Sequence, residues 1–182
     1  ENVSWHEAVA FANALSVDQG KAPCYRCSGS RAKVKCAVLD KYKGKRYYKC
    51  GGWRLPTEAE WEYAYRAGSS TAFYNGKITK PSGKDPNLHK IAWFANNTGV
   101  ATYSVEGKKA NQWGLYDMAG NVWEWNYDLN RKTLGVTPVT DPVNDTKGSG
   151  RVVRGGSWAN IARHCRAAFR NWLSPSVRGY FL

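Results

Sequence analysis

The chain has 182 residues and a net charge of +13, and it contains nine Trp, eleven Tyr and eighteen Gly against a single Met. This length predicts one domain with a sizeable hydrophobic core. Many aromatic residues and glycines, with few long aliphatic runs, favour short strands and ordered loops and argue against a helix bundle. Because no run of about 18 apolar residues occurs, no membrane span is predicted. No signal peptide is visible, although a leader could have been removed before Glu1.

The positive charge raises the question of a nucleic-acid partner. Residues 21–49 hold ten Lys or Arg and one acid, and residues 151–182 hold six Arg and no acid. No recognition-helix or RNA-binding sheet signature accompanies these residues. We therefore interpret the charge mainly as solvated surface and do not expect nucleic acid as the partner. A polyanion or an acidic partner is the second interpretation.

The first predicted element is a helix from about Trp5 to Leu15. Ser4 and Glu7 form a capping box at its start, and apolar residues follow at helical spacing. His6 lies in the first turn, where we expect it to be exposed and not catalytic.

A basic insert with four cysteines covers about residues 21–52. Alternating patterns at residues 33–38 and 46–50 predict strands or a ribbon. Its cysteines are Cys24, Cys27, Cys36 and Cys50. The first two have the spacing of half a zinc site, but no second close pair accompanies them. We favour two disulfides, which imply an oxidising compartment, and keep zinc as the alternative.

A second capping box, Thr57 with Glu60, predicts another helix with Trp61 on its buried side and Gly68 at its end. Carboxylates crowd the start of this helix, where the helix dipole favours them. We prefer this structural role to a general-acid role.

The loops and strands that follow are less regular. Residues 69–90 and 130–150 are rich in turn-forming residues and lack periodicity, which predicts surface loops. Residues 91–94 are predicted to form a short buried strand. Residues 151–158 are predicted to form a strand that ends in a glycine pair.

The stretch Gly114–Trp125 combines small residues, two tryptophans and the carboxylates Asp117 and Glu124. Its glycines can take positive φ, and its tryptophans alternate as on a strand with both indoles on one face. Taken alone, this pattern is compatible with a cation site, an active site or a tightly packed corner.

Three motifs in order carry a family resemblance: residues 54–62, residues 114–125 and residues 151–158. Together they resemble the formylglycine-generating enzyme, or sulfatase-modifying factor, family over nearly the whole chain. The resemblance implies a single α+β domain over residues 1–182 with a variant of the C-type lectin fold, in which two helices pack on irregular, mostly antiparallel sheet. Compared with the family, the chain looks clipped at both ends.

Enzymes of this family use two reactive cysteines with copper to oxidise a substrate cysteine to formylglycine. The resemblance places the first cysteine at Asn160, and the second falls where this sequence is shorter. Cys165 best matches a non-catalytic position. Without two thiols there is no two-sulfur site for copper(I) and no thiol chemistry. We therefore expect no catalytic residues and no copper, with a formylglycine-generating oxidase as the alternative.

Many family members without these cysteines resemble binding proteins, including the variable proteins of diversity-generating retroelements. Such proteins keep a fixed frame with interchangeable positions between. The resemblance implies that these positions point outward on a ligand face. They are Ala159, Asn160, Ile161, His164, Phe169, Asn171, Trp172, Leu173, Ser174, Ser176, Val177, Gly179, Tyr180 and Phe181.

Aromatic residues with Arg, Asn and Ser are typical of a binding patch. The alternative is that Phe169 and Trp172 belong to the core of an irregular fold. The leading hypothesis is a non-catalytic, exported binding domain that recognises a protein or other macromolecule through residues 159–181. A subunit of a surface or envelope assembly, with contacts through the insert, is a further hypothesis.

In the family's enzymes, the loop that corresponds to Gly114–Trp125 binds calcium through two side-chain oxygens and two backbone carbonyls. The resemblance places these ligands at Asp117, Gly120, Val122 and Glu124. Ca²⁺ prefers such mixed oxygen ligands. We therefore expect a structural calcium ion here, with the two carboxylates as metal ligands and not as an acid–base pair.

Overall fold

The computed structural model describes residues 1–135 and 137–182. In chain order its helices and strands are α1 (Trp5–Asp18), β1 (Tyr25–Ser28), β2 (Lys35–Val38), α2 (Glu58–Arg66), α3 (Pro86–Ile91), β3 (Glu124–Leu129), β4 (Arg151–Arg154) and β5 (Asn171–Leu173). Short 3₁₀ helices occur at Arg31–Lys33, Asp40–Tyr42, Gly44–Lys49 and Ala162–Cys165. The predicted α+β architecture, with helices on irregular antiparallel sheet, is confirmed.

Both predicted capping boxes are present. The Glu7 backbone N–H donates to Ser4 Oγ at 3.3 Å, and the Glu7 carboxylate accepts from the Ser4 backbone N–H at 2.9 Å. Thr57 and Glu60 make the same reciprocal pair at the start of α2. Ala67, with a φ of +42°, is the left-handed residue that ends α2, one position before the predicted Gly68. Within the described ranges, each helix is too short or too polar to cross a bilayer.

The central sheet contains three antiparallel strands, with β4 between β3 and β5. Trp125 on β3 lies opposite Val153 on β4, and Val152 lies opposite Trp172 on β5. The predicted glycine pair follows β4 directly. A buried tryptophan strand therefore lies next to the strand that leads into the C-terminal segment.

The insert forms a two-stranded ribbon, β1 with β2, in which Cys27 lies opposite Cys36. These two cysteines form one disulfide, and Cys24 and Cys50 form the other. The disulfide prediction is confirmed, and all four candidate zinc thiols are consumed. The strand prediction for residues 46–50 is wrong, because Tyr47 is drawn into the core. Its ring stacks on Tyr127 with centroids 3.6 Å apart, inside the 3₁₀ helix Gly44–Lys49.

The predicted loop at residues 69–90 was wrong at its end, where α3 forms. Asp85 caps this helix by accepting from the backbone N–H groups of Asn87 and Leu88, and Pro86 occupies the first helical position. The predicted strand at residues 91–94 was also wrong. Trp93 instead makes a single parallel bridge to Gly120.

Two apolar clusters hold the elements together. The first joins α1, the insert and β3 through buried residues that include Trp5, Tyr47 and Trp123. The second joins α2, α3 and the 3₁₀ helix Ala162–Cys165 through residues that include Trp61 and Leu88. The insert is therefore part of the core and is held rigidly against α1 and β3.

Candidate functional site

The C-terminal segment, residues 155–182, begins with a backbone turn that only glycine accommodates. Gly155 and Gly156 have φ angles of +91° and +77°. A Cβ atom on Gly156 would lie 2.7 Å from the Sγ of Cys165. The Ser157 backbone N–H then donates to Asn160 Oδ1 at 3.0 Å and directs the chain into the following loop. The glycine pair therefore determines the direction in which the segment leaves β4.

Backbone hydrogen bonds hold the first part of this segment against the second cluster. Tyr65 donates its hydroxyl to the Cys165 carbonyl at 2.9 Å. The Ala167 N–H donates to Ala72 O at 2.8 Å, and the Arg163 N–H donates to Pro81 O at 3.0 Å. Side chains can therefore vary here without loss of the backbone contacts that fix the segment.

Buried Arg154 anchors the middle of the segment. Its side chain is 0% exposed, and its Nη1 donates to the Phe169 carbonyl at 2.8 Å. Its Nη2 forms an ion pair with Glu62, and Glu58 lies 3.6 Å away. Arg170 donates from Nε and Nη2 to the two Glu58 oxygens at 2.5 and 2.7 Å. The two arginines, together with Glu58 and Glu62 of α2, therefore connect this segment to the sheet.

Half of the positions expected on the ligand face are exposed. They are Ala159, Asn171, Trp172, Ser174, Ser176, Tyr180 and Phe181. The large side chains Trp172, Tyr180 and Phe181 expose 48%, 71% and 37% of their surface. We call these seven residues the C-terminal face.

The other seven expected positions are only partly exposed: Asn160, Ile161, His164, Phe169, Leu173, Val177 and Gly179. Phe169, Leu173 and Val177 pack against the first apolar cluster, so they do not point fully outward as expected. The Phe169 ring lies 6.0 Å from the Trp123 ring, between centroids. Asn160 turns inward to accept from Ser157. Core packing and local hydrogen bonding therefore reduce the exposure of part of the segment.

The stretch Gly114–Trp125 supports this segment directly. Gly120, with a φ of +73°, donates its N–H to Gly155 O at 2.9 Å, and a Cβ atom there would lie 2.1 Å from Trp93 O. The Trp123 N–H donates to Phe181 O at 2.7 Å, which holds the end of the segment. The stretch thus contacts both the start and the end of the C-terminal segment.

This stretch also contains the two carboxylates Asp117 and Glu124, and the charge of Asp117 acts on Glu124. Burial raises the pKa of Glu124 to about 7, a hydrogen bond from Trp61 opposes that rise, and the charge of Asp117 adds to it. Asp117 Oδ2 accepts from the Glu106 N–H at 2.8 Å, whereas its buried Oδ1 has no hydrogen-bond partner. In the part of the chain that the structure describes, neither carboxylate forms an ion pair with Lys, Arg or His.

The carbonyl oxygens of Gly120 and Val122 are also free of hydrogen bonds from the backbone of the described residues. An orphaned carboxylate oxygen, a second carboxylate whose pKa burial raises to about 7 and two carbonyls without a backbone hydrogen bond in the described residues offer a set of hard oxygen donors. Such a set fits Ca²⁺ and does not fit a soft metal.

The one cysteine outside the two disulfides is Cys165, and it is buried. Burial raises the pKa of its thiol to about 12, and a hydrogen bond from Gly120 opposes that rise. The thiolate is the reactive form, so this thiol is a poor nucleophile near neutral pH. His6 accepts from the Cys36 N–H, and His89 lies on α3.

Sequence reasoning did not place Lys35 of the insert beside the positions expected on the ligand face, although its Nζ donates to Ser176 Oγ at 2.7 Å. The alternation of residues 33–38 already placed this lysine on the outer side of a strand. Its proximity to the C-terminal face could not be predicted, because the two segments are 141 residues apart.

A cavity of about 540 Å³ lies between α2 and residues 128–144, with Tyr63 and Leu134 in its lining. No sequence pattern indicated it. The carboxylates Glu58 and Glu62, which line it, are already paired with arginines. We therefore assign it no ligand.

Comparison with known proteins identifies the family of the chain. The family model described as "Sulfatase-modifying factor enzyme 1-like domain" matches residues 1–182. Formylglycine-generating enzymes of Mus musculus and Streptomyces coelicolor are 35% and 37% identical over regions that cover 71% of this chain. Those regions make up 37% and 44% of the two enzymes, so the chain spans less than half the length of these relatives.

Among solved structures, Treponema denticola variable protein 1 is similar with a TM-score of 0.81 and 35% identity, over 100% of this chain and 67% of that chain. The expected C-type-lectin-like fold and the resemblance to variable proteins are confirmed by these matches. The chain belongs to the sulfatase-modifying factor enzyme 1-like domain family, which includes the formylglycine-generating enzymes.

Proposed function

We propose that this chain is a non-catalytic binding domain that recognises a protein or other macromolecule through its C-terminal face. The observation that carries the proposal is the exposure of Trp172, Tyr180 and Phe181 on a backbone that the rest of the fold holds in place. Large aromatic side chains supply most of the energy at protein interfaces, and a fixed backbone lowers the entropic cost of binding. The similarity to a variable protein is consistent with this role.

We further propose that a bound calcium ion stabilises this scaffold. Asp117 and Glu124 would hold the ion through their carboxylates, and Gly120 and Val122 through their carbonyl oxygens. The bound ion would supply positive charge to two carboxylates that have no cationic partner among the described residues. Its role is structural, because Gly120 and Trp123 carry the hydrogen bonds that hold both ends of the C-terminal segment.

We also propose that the domain works outside the cytosol. Disulfides persist in oxidising environments and are rare in the cytosol, and the insert contains two. An extracellular or cell-surface location suits a domain that recognises a macromolecular partner.

The binding proposal predicts that the C-terminal face is the preferred site for peptide ligands. Peptides selected from a phage-displayed random library on the wild-type protein are expected to lose at least about tenfold in affinity for a variant with Trp172→Ala, Tyr180→Ala and Phe181→Ala. The affinities can be measured by biolayer interferometry, and thermal melting checks that the variant folds.

A matched control for this test carries Phe11→Ala, Val17→Ala and Tyr63→Ala, which also remove exposed large side chains. This control should bind the selected peptides like the wild type. The proposal fails if most of the selected peptides bind the first variant as tightly as the wild type.

The oxidase alternative is tested by turnover. We expect no formylglycine in a cysteine-containing sulfatase peptide after incubation with the protein, copper(I) and oxygen, as measured by mass spectrometry. The reason is that Asn160 occupies the position of one reactive cysteine and the Cys165 thiol is buried with a raised pKa. Repeated turnover with the wild type, lost in Cys165→Ser, would overturn the non-catalytic assignment.

A further inference from the structure

The outer side of the insert ribbon lies beside the C-terminal face. Tyr25, Cys36 and Val38 of the ribbon are buried, whereas Arg26 and Lys35 are exposed on its other side. Lys35 Nζ donates a 2.7 Å hydrogen bond to Ser176, which belongs to the C-terminal face. The ribbon and the C-terminal face therefore form adjoining parts of one surface.

The insert carries most of the net charge of the chain. All ten Lys and Arg residues between positions 21 and 49 are exposed, and the single acid there is Asp40. Asp40 pairs with Lys43 at 2.6 Å. Within the described residues, the other nine cations of the insert form no ion pair.

The C-terminal segment adds positive charge and no acid. Two of the four arginines in residues 159–181 are neutralised, one by Glu58 and one by Glu7. Arg163 and Arg166 pair with no carboxylate in the part of the chain that the structure describes. Within the described residues, the C-terminal segment therefore adds two cations without an acidic partner to the positive charge of the insert.

Charge of a single sign is unusual for a surface that only faces solvent. Like charges that are held close repel each other and oppose the compact state. Outside residues 21–49 the chain mixes both signs, with seventeen Lys or Arg and thirteen Asp or Glu. In the insert, two disulfides and the packing of Tyr47 keep the cations together instead. A partner of opposite charge would relieve this repulsion and speed association.

We propose that the insert and the C-terminal face form one binding surface, and that its partner is a protein with an acidic surface patch. This inference rests on the proposed binding function and names the chemistry of the partner. Single-stranded nucleic acid stacks its bases on aromatic rings that lie among the cations. The exposed rings Trp172, Tyr180 and Phe181 belong to the C-terminal segment, whereas most of the cations belong to the insert, so a protein is favoured. The four tyrosines of the insert are buried or half-buried: Tyr25, Tyr42, Tyr47 and Tyr48.

The test measures where an acidic polypeptide binds. The probe is a fluorescein-labelled oligo-glutamate peptide, followed by fluorescence anisotropy at physiological ionic strength. One variant reverses four cations of the ribbon and its turn, with Arg26→Glu, Arg31→Glu, Lys33→Glu and Lys35→Glu. Its matched control reverses four exposed lysines around α3, with Lys77→Glu, Lys84→Glu, Lys90→Glu and Lys109→Glu. Thermal melting confirms that both variants fold.

We expect the insert variant to bind the probe about tenfold more weakly or worse, and the control to change by less than about threefold. Equal weakening by both variants would mean that net charge alone drives binding, and the proposal would be overturned. An oligothymidylate of equal charge that binds more tightly than the peptide, and loses binding in the insert variant alone, would overturn the choice of an acidic protein.

The peptides selected on the wild type separate this inference from the proposed function. We expect those peptides to be enriched in Asp and Glu and to lose affinity for the insert variant. Peptides that depend on Trp172, Tyr180 and Phe181 but are neutral and insensitive to the insert variant would refute the acidic partner and leave the binding face intact. Peptides that ignore those three side chains would refute the proposed function itself.

Discussion

Saturating calcium is expected to raise the melting temperature of chelator-treated protein by roughly 5–10 °C. A ligand at about one hundred times its Kd stabilises the folded state by about 2.7 kcal/mol, and each kcal/mol shifts the melting temperature of a domain of this size by about 2–4 °C. The physical source is the pair of carboxylates Asp117 and Glu124, neither of which forms an ion pair with Lys, Arg or His in the described structure. Differential scanning fluorimetry with EGTA and then with Ca²⁺ measures the shift.

The variant Glu124→Gln should separate the metal from the fold. It removes a buried carboxylate, so the metal-free variant should melt at or above the temperature of metal-free wild type. It should also lose most of the calcium response, because one charged ligand is gone. Asp40→Asn, an exposed acid in the insert, should respond to calcium like the wild type. A wild type that ignores calcium, or a Glu124→Gln variant that responds fully, would contradict the proposed site.

Replacement of Arg154 by Met is expected to lower the free energy of unfolding by about 3 kcal/mol, and so the melting temperature by roughly 6–12 °C. The change leaves Glu58 and Glu62 without one of their cations and the Phe169 carbonyl without its donor. Removal of one partner from a buried ion pair is costly, because the remaining charge stays desolvated. Urea denaturation followed by tryptophan fluorescence measures the loss.

The matched control for Arg154 is Arg163→Met, which removes an exposed arginine from the same part of the chain. It should change the free energy of unfolding by less than about 0.5 kcal/mol. Hydrogen exchange should also become faster at residues 169–173 in Arg154→Met, because this arginine tethers that backbone to β4 and α2. A loss below about 1 kcal/mol would show that the arginine is not the anchor that the contacts indicate.

These two predictions concern two groups of contacts that hold the C-terminal segment in place. The stretch Gly114–Trp125 holds the start and the end of the C-terminal segment, and Arg154 holds its middle. The three large exposed side chains lie beyond these anchors. Replacement of an exposed residue should therefore alter binding with little effect on stability, whereas replacement of an anchor should alter both.

The sequence predicted the parts of the fold that local chemistry controls. Both helix starts were correct, because a capping box joins residues only three positions apart. The short helix α3 was missed although its own local signal, Asp85 followed by Pro86, was present. The disulfide prediction was correct in kind, while the pairing needed the ribbon register that places Cys27 opposite Cys36.

Errors occurred where distant contacts overrode local pattern. Residues 46–50 alternate like a strand but wind into a 3₁₀ helix, because Tyr47 packs on Tyr127 and is fully buried. Trp93 was predicted to lie in a strand, but it forms only an isolated bridge to Gly120. In both cases the deciding neighbour is too far along the chain for periodicity to reveal it.

By itself the sequence determined the family, the helix starts and the glycine turn after β4. These follow from short motifs whose chemistry is complete within a few residues. Only the tertiary structure decided which side chains of residues 159–181 remain exposed and that the basic insert adjoins them. Phe169 turns to Trp123, and Lys35 reaches Ser176, because packing of the two apolar clusters brings together segments that lie far apart in the chain.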